Sequence, residues 1–150
     1  MNAESQPRYV QPSQGTRFFN STVAGLARMG ISLRGSRVLA VRGRKSGEWR
    51  TTPVNPLTFE GGRYLVAPRG NTQWVRNMRV AGGGELRIGR RVERFTATEV
   101  PVEERPRLLR AYLKKWKFEV GMFFQGVGPD APDDKLLEIA PDHPVFRITS

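Results

Sequence analysis

The chain has 150 residues, 38% hydrophobic and 26% charged, a balance that suits one globular domain with an ordinary core. It carries 25 Lys and Arg against 14 Asp and Glu, a formal net charge of +11. The absence of Cys and the presence of a single His exclude disulfides, thiolate chemistry and a multi-histidine metal site.

No apolar run reaches the length of a membrane span, and no basic start followed by an apolar stretch reads as a secretory leader. A cytoplasmic protein is the expectation. Of the 25 basic residues 20 are Arg, which binds carboxylate and phosphate bidentately. Codon preference accounts for part of this excess. An anionic partner accounts for the rest: a phosphorylated ligand, a nucleic acid or a membrane surface.

Residues 1–15 are polar, with Pro, Gln and Ser, and read as a flexible segment before one domain over 16–150. From Arg17 to Met29 the apolar residues Phe19, Val23, Leu26 and Met29 fall at helical spacing, and Gly30 can end that helix. Six segments then have strand character: Val38–Val41, Thr51–Phe59, Arg63–Ala67, Glu85–Ile88, Val92–Val100 and Val145–Ile148. Glu60-Gly61-Gly62 and Gly89-Arg90 read as hairpin turns. Pro53 and Pro56 place their strand at an edge or on a bulge.

Between the strands lie further helices. Asn71 or Thr72 can cap a short one with Trp74, Asn77 and Met78 on one face. A longer one runs from Glu103 to about Phe118, with Leu108, Leu109, Tyr112, Leu113 and Trp116 along its apolar side. A short helix from Asp133 to Ala140 precedes the last strand. Six short strands joined by hairpins, with a few helices, predict an α+β protein that is mainly β: a small antiparallel barrel packed by helices. His143, between Asp142 and Pro144, reads as a surface turn residue, and its place beside prolines near the C-terminus argues against chymotrypsin-like chemistry. The acidic run Asp130–Asp134 suggests a loop and helix start, not a glycosidase carboxylate pair.

The chemistry concentrates in two stretches. GRKSGEWRTTPV, residues 43–54, sits in the turn between the first two strands. Arg42, Arg44, Lys45 and Arg50 crowd it against Glu48 alone, Gly43 and Gly47 let backbone approach a ligand, and Ser46, Thr51 and Thr52 add hydroxyls. These groups suit a phosphate or a carboxylate, although the spacing matches neither a Walker loop nor a GxGxxG fingerprint. A solvated basic turn is the plain alternative. The second stretch, YLVAPRGN over 64–71, leaves a strand at a Gly-containing turn with another Arg and leads into TQWVRNMR.

Taken in order, GRKSG, RTTP, LVAPRG and WxxNxR resemble the deazaflavin-dependent nitroreductase and quinone reductase family of actinobacteria. The resemblance runs from about Phe18 to the closing HPVFRIT. It implies a six-stranded split β-barrel of the flavin-binding type and the coenzyme F420, whose phosphodiester and polyglutamate tail suit an Arg-rich loop. On the matching positions, Arg44, Lys45, Ser46, Gly47 and Arg50 would hold the phosphate and nearby tail. Thr52 and Pro53 would lie along the deazaflavin; Ala67, Pro68, Arg69 and Gly70 would border the ring and the phosphate; Trp74 and Asn77 would close the site. The plain reading of Trp74 is core packing.

The implied reaction is hydride transfer from reduced F420 to a quinone, an activated alkene or a nitroaromatic. Asn55 stands where some nitroreductases of the family carry Tyr, and Pro68 where they carry Ser. These departures bear on nitroreduction more than on the cofactor. Asn55, Tyr112 and Trp116 are the acceptor-pocket candidates, with ordinary packing the alternative for the two aromatics. No catalytic acid or base and no metal ligand stands out.

Two other functions stay open on sequence. One is a split barrel that binds FMN, FAD, haem or a lipid without deazaflavin turnover. The other is a nucleic-acid module, which ranks low because Trp49 is the sole aromatic within the basic loop. Lys114, Lys115 and Lys117 beside Trp116 read as a solvated helix face, with contact to a membrane surface as the alternative. A monomer or a small homo-oligomer is expected.

Overall fold

The computed structural model describes residues 36–150, so the segment 1–15 and the helix predicted over Arg17–Met29 lie outside it. The described residues form seven strands: β1 (Arg37–Arg42), β2 (Trp49–Val54), β3 (Leu57–Phe59), β4 (Gly62–Val66), β5 (Gly83–Ile88), β6 (Arg91–Glu99) and β7 (Val145–Thr149). Among the described residues the α-helices are α1 (Gln73–Ala81), α2 (Arg105–Val120) and α3 (Asp133–Ile139). The strands form one sheet in the order β2-β1-β5-β6-β7-β4-β3, every neighbouring pair antiparallel. It is the mainly β split-barrel architecture with flanking helices, built from seven strands where six were expected.

The extra strand comes from the predicted strand Thr51–Phe59, which is two. Val54 ends β2, and Leu57 begins β3. Pro56 has no N–H to give a ladder, so pairing lapses at Asn55-Pro56. Both pieces are edge strands, as the two prolines suggested, yet they occupy opposite ends of the sheet order. Laid flat, seven strands would separate those ends by about 29 Å, at about 4.8 Å per neighbour. Three trans peptide units from Val54 to Leu57 reach about 11 Å. The sheet must therefore curl until its edges meet at the join.

Curling creates two packing layers. Inside the barrel, Leu39, Val41, Val54, Leu65, Phe95, Phe146 and Ile148 pack with Val75 and Met78 of α1. Outside it, Tyr64, Val66 and Val145 pack against Leu108, Leu109, Tyr112, Leu113 and Trp116 of α2 and Leu136 of α3. Strand β4 lies between the layers, which is why Tyr64-Leu65-Val66 reads as an unbroken apolar run with every side chain buried. The β3–β4 turn is a two-residue hairpin with positive φ at Glu60 (49°) and Gly61 (80°), the twist-matched form the sequence announced.

His143 is not a surface residue. It is 0% exposed, and its ring stacks on Phe124 at 4.2 Å and 13°. The one-turn helix Ala140–Asp142 and the start of β7 carry it under the 121–124 segment, where an imidazole packs as a flat aromatic. Lys114, Lys115 and Lys117 are exposed, and Lys115 lies over the Trp116 ring. No helix among the described residues is long and apolar enough to cross a membrane.

Much of the Arg excess is structural. Arg105, 5% exposed, donates to Val100 O, Ala140 O and the Glu99 carboxylate. Glu99 also accepts two bonds from Arg79, whose Nη1 reaches Asn71 Oδ1 at 2.7 Å. This network ties the C-terminal end of α1 to β6 and the start of α2.

At the far end of β6, Arg63 and Ser150 donate to Glu93 and, in that order, hold its carboxyl at about 2. A depressed folded-state pKa gives stability that is present above the ordinary value near 4.5 and lost as pH falls toward 2. The pair is over a third exposed, so the effect is modest. Thermal melts between pH 6 and pH 2 should show a steeper loss in the wild type than in Glu93→Gln; parallel curves would contradict the assignment.

Candidate functional site

In the β1–β2 register Arg42 faces Trp49, leaving Gly43–Glu48 as the connecting loop. Gly43 N donates to Glu48 O at 2.8 Å and Gly47 N to Gly43 O at 2.9 Å. Ser46 Oγ accepts from Glu48 N at 3.1 Å. Gly47 takes a left-handed φ of 75°, which favours glycine in this tight turn, and a Cβ on Gly43 would meet Ser46 Oγ at 2.9 Å, so Ser46 would have to shift. Arg42 turns outward, its guanidinium 4.0 Å from the centre of the Trp49 ring.

The loop's other cations face α1. Arg44 N donates to Asn77 Oδ1 at 3.0 Å, and Arg44 Nη1 donates to Gln73 Oε1 at 2.9 Å and Asn77 Oδ1 at 2.8 Å. Lys45, Ser46 and Arg50 are exposed. Among the described residues no carboxylate forms an ion pair with Arg44, Lys45 or Arg50. The loop, Gln73 and Asn77 enclose a basin of about 420 Å³.

Next to it lies a cavity of about 270 Å³. Arg50, Thr51, Thr52, Pro53 and Val54 of β2 form one wall, and Val66, Pro68 and Arg69 form another. Thr72, Gln73, Trp74 and Asn77 of α1 complete it, with Asn55 and Tyr112 also in the lining. Arg50, Gln73 and Asn77 border both spaces, which therefore form one groove, apolar at one end and cationic at the other. The cavity alone is small for a ligand site, which usually spans about 300–1,000 Å³, so it suits a ring system whose anionic part extends into the basin. Among the described residues the cavity lining has no Asp, Glu or His.

Most of the residues singled out in the sequence converge here: Arg44, Lys45, Ser46, Arg50, Thr52, Pro53, Asn55, Pro68, Arg69, Trp74, Asn77 and Tyr112. Trp74 is half-buried and also packs on Phe146, at 5.8 Å between ring centres. Gly47 shapes the loop from its base. Ala67 and Gly70 are buried outside the lining; Ala67 N donates to Pro144 O and Gly70 N to Ala67 O, which fixes the turn that delivers Pro68 and Arg69. Trp116 is 4% exposed in the outer layer and is not part of the cavity lining. Thr72 is the N-cap of α1 but makes no side-chain cap bond, and its hydroxyl has no partner among the described residues. Gln73 was missed by sequence reading, although it stands one helical turn before Asn77 on the same face.

The sequence signature described as F420H(2)-dependent quinone reductase matches residues 16–119. The chain belongs to this family. It is an F420-dependent oxidoreductase, and of the alternatives left open on sequence the deazaflavin is the cofactor. Among curated proteins none matches the sequence. Solved structures share the fold. An F420-H2 dependent reductase, FDR-A, is 20% identical with a TM-score of 0.54, over 79% of this chain and 97% of its own. A domain-swapped dimer is 20% identical with a TM-score of 0.55, over 91% and 94%. A protein of unknown function from Agrobacterium tumefaciens is 16% identical with a TM-score of 0.55, over 94% and 59%.

For this reductase family member the loop geometry makes a direct prediction. Gly47→Ala puts a Cβ on left-handed backbone, at a cost of roughly 1–2 kcal/mol. Chemical denaturation should show that loss, and Gly47→Asn should lose less because Asn tolerates this conformation. Equal stability of Gly47→Ala and wild type would mean the loop is not held as described.

Proposed function

We propose that the groove between the Gly43–Arg50 segment and α1 holds F420, and that a quinone-type acceptor enters the cavity beside Asn55 and Tyr112. The observation that carries this reading is the shared border: Arg50, Gln73 and Asn77 join an apolar cavity to a cationic basin. The residues fit the coenzyme on chemistry. Lys45, Ser46 and Arg50 supply donors to a phosphodiester and to the first carboxylates of an acidic tail. Arg69 also lines the cavity and adds positive charge there.

The reduced deazaflavin supplies a hydride when bound. The chain's part is placement and shielding. Val41, Val54, Val66, Pro53 and Trp74 make a dry wall against which a planar ring can lie. Asn55 and Tyr112 bring an amide and a phenol to the acceptor end, where hydrogen bonding to a carbonyl oxygen favours the developing negative charge.

Fluorescence titration with F420, and with FMN in parallel, tests the reading. Saturation by F420 and none by FMN is expected. Saturation by FMN alone, or by neither, would overturn it. Replacing both Lys45 and Arg50 by Ala should weaken F420 binding by about 10- to 1000-fold, since charge-assisted bonds contribute roughly 1.5–3 kcal/mol each. Thermal stability should hold because both side chains are exposed. Unchanged affinity in the folded double variant would remove the loop from the site.

A further inference from the structure

Asn77 is drawn to the site by its position, yet its oxygen is already engaged. Oδ1 accepts both the backbone N–H of Arg44 (3.0 Å) and Arg44 Nη1 (2.8 Å). Gln73, one turn earlier on α1, accepts Nη1 a second time at 2.9 Å. Asn77 is 4% exposed and its two bonds to Arg44 are part-buried, whereas the Gln73 bond is exposed. Its own helix is anchored at both ends. Val75 and Met78 lock it into the barrel interior, and Arg79 ties its last turn to Glu99 and Asn71.

The loop, in contrast, has little holding it from outside. Within it are the closing bonds at Gly43, Gly47 and Ser46, and Arg42 Nη1 donates to Gly47 O at 3.1 Å from the preceding strand. Apart from that Arg42 bond, the side-chain hydrogen bonds that join Gly43–Glu48 to another element among the described residues pass between Arg44 and the pair Gln73 and Asn77. They lie at the junction of cavity and basin.

We propose that Asn77 is a positioning residue: it latches the anion-binding loop to α1 through Arg44, and so sets where Lys45, Ser46 and Arg50 stand relative to the ring cavity. Arg44 is then a strut of the loop and not its main anion ligand, because its Nη1 and backbone N–H are committed to α1. The latch also gives the amide at 77 a role. A carboxamide oxygen takes two donors without adding a negative charge beside a phosphate, which an Asp would do. The cofactor half of this proposal rests on F420 occupying the groove; the latch itself does not.

The test therefore has one readout without the coenzyme and one with it. Hydrogen exchange of the ligand-free protein reports the amide protection of residues 43–48. Asn77→Ala should raise exchange there by about tenfold or more while the peptides of β4 and β7 stay protected. Asn77→Asp, which keeps an oxygen acceptor in place, should restore protection. Loop exchange unchanged in Asn77→Ala would overturn the proposal, whatever the variant does to binding.

F420 titration of Asn77→Ala, Arg44→Ala and the double variant supplies the second readout. Acting through Arg44, Asn77→Ala should weaken binding about tenfold, and the double variant should bind no more weakly than the worse single. Losses that multiply in the double variant would mean that Asn77 touches the coenzyme directly, and would overturn the positioning role. If the wild type fails to bind F420 while Asn77→Ala still loosens the loop, the cofactor reading falls together with the cofactor half of this proposal, and the latch alone stands.

Discussion

The join at Asn55-Pro56 constrains everything else in this molecule. Two residues connect the outermost strands of a seven-stranded sheet, so the sheet has to close on itself. Closure places the inner faces of β1 and β2 opposite β4 and beside α1. The join itself falls outside the ladders of β2 and β3. The cavity lies beside it: Asn55 lines it, and so do the β2 residues leading into the join. The site is thus a consequence of how the barrel closes.

Helix α1 converts this opening into a groove with two chemistries. Its inner side packs in the barrel through Val75 and Met78. Its N-terminal turn, with Thr72, Gln73 and Trp74, lines the cavity, and Gln73 and Asn77 meet the basic loop. An apolar slot and a cationic basin side by side are what a coenzyme with a planar ring and an acidic tail requires. The positive charge of the rest of the chain has other duties. Arg63, Arg79, Arg87, Arg105, Arg107 and Arg110 pair with carboxylates, and Arg105 and Arg110 also satisfy backbone carbonyls. A net charge of +11 therefore overstates the cationic surface at the site, which falls chiefly to Lys45, Arg50 and Arg69.

Much of this was readable from the residues. Alternation and turn chemistry located the strands, the Glu60-Gly61 hairpin and α2, because local rules govern them. The basic loop reads as a candidate anion site because Gly, Ser and cations gather there against Glu48 alone, and the structure sets it beside the cavity. Three features were not readable. Thr51–Phe59 looks like one strand, since nothing local says that its halves pair with partners at opposite edges. His143 looks exposed between Asp142 and Pro144, since its burial depends on Phe124 from a distant segment. Trp116 continues the apolar face of α2, but it packs in the outer layer and not in the cavity lining that Tyr112 joins. Each miss is a long-range contact, and sequence spacing carries no information about those.

The central claim is that F420 lies in the groove with its phosphate on the Gly43–Arg50 segment and its ring between β2 and Trp74. The most direct measurement is a crystal structure of the protein with F420 bound. The account predicts phosphate oxygens within hydrogen-bonding distance of Lys45 and Arg50, the ring against Pro53, Val54 and Trp74, and Arg44 still bonded to Asn77. A coenzyme bound elsewhere, such as beside Arg37 and Arg63 at the β5–β6 hairpin, or one whose phosphate displaces Arg44 from Asn77, would contradict it.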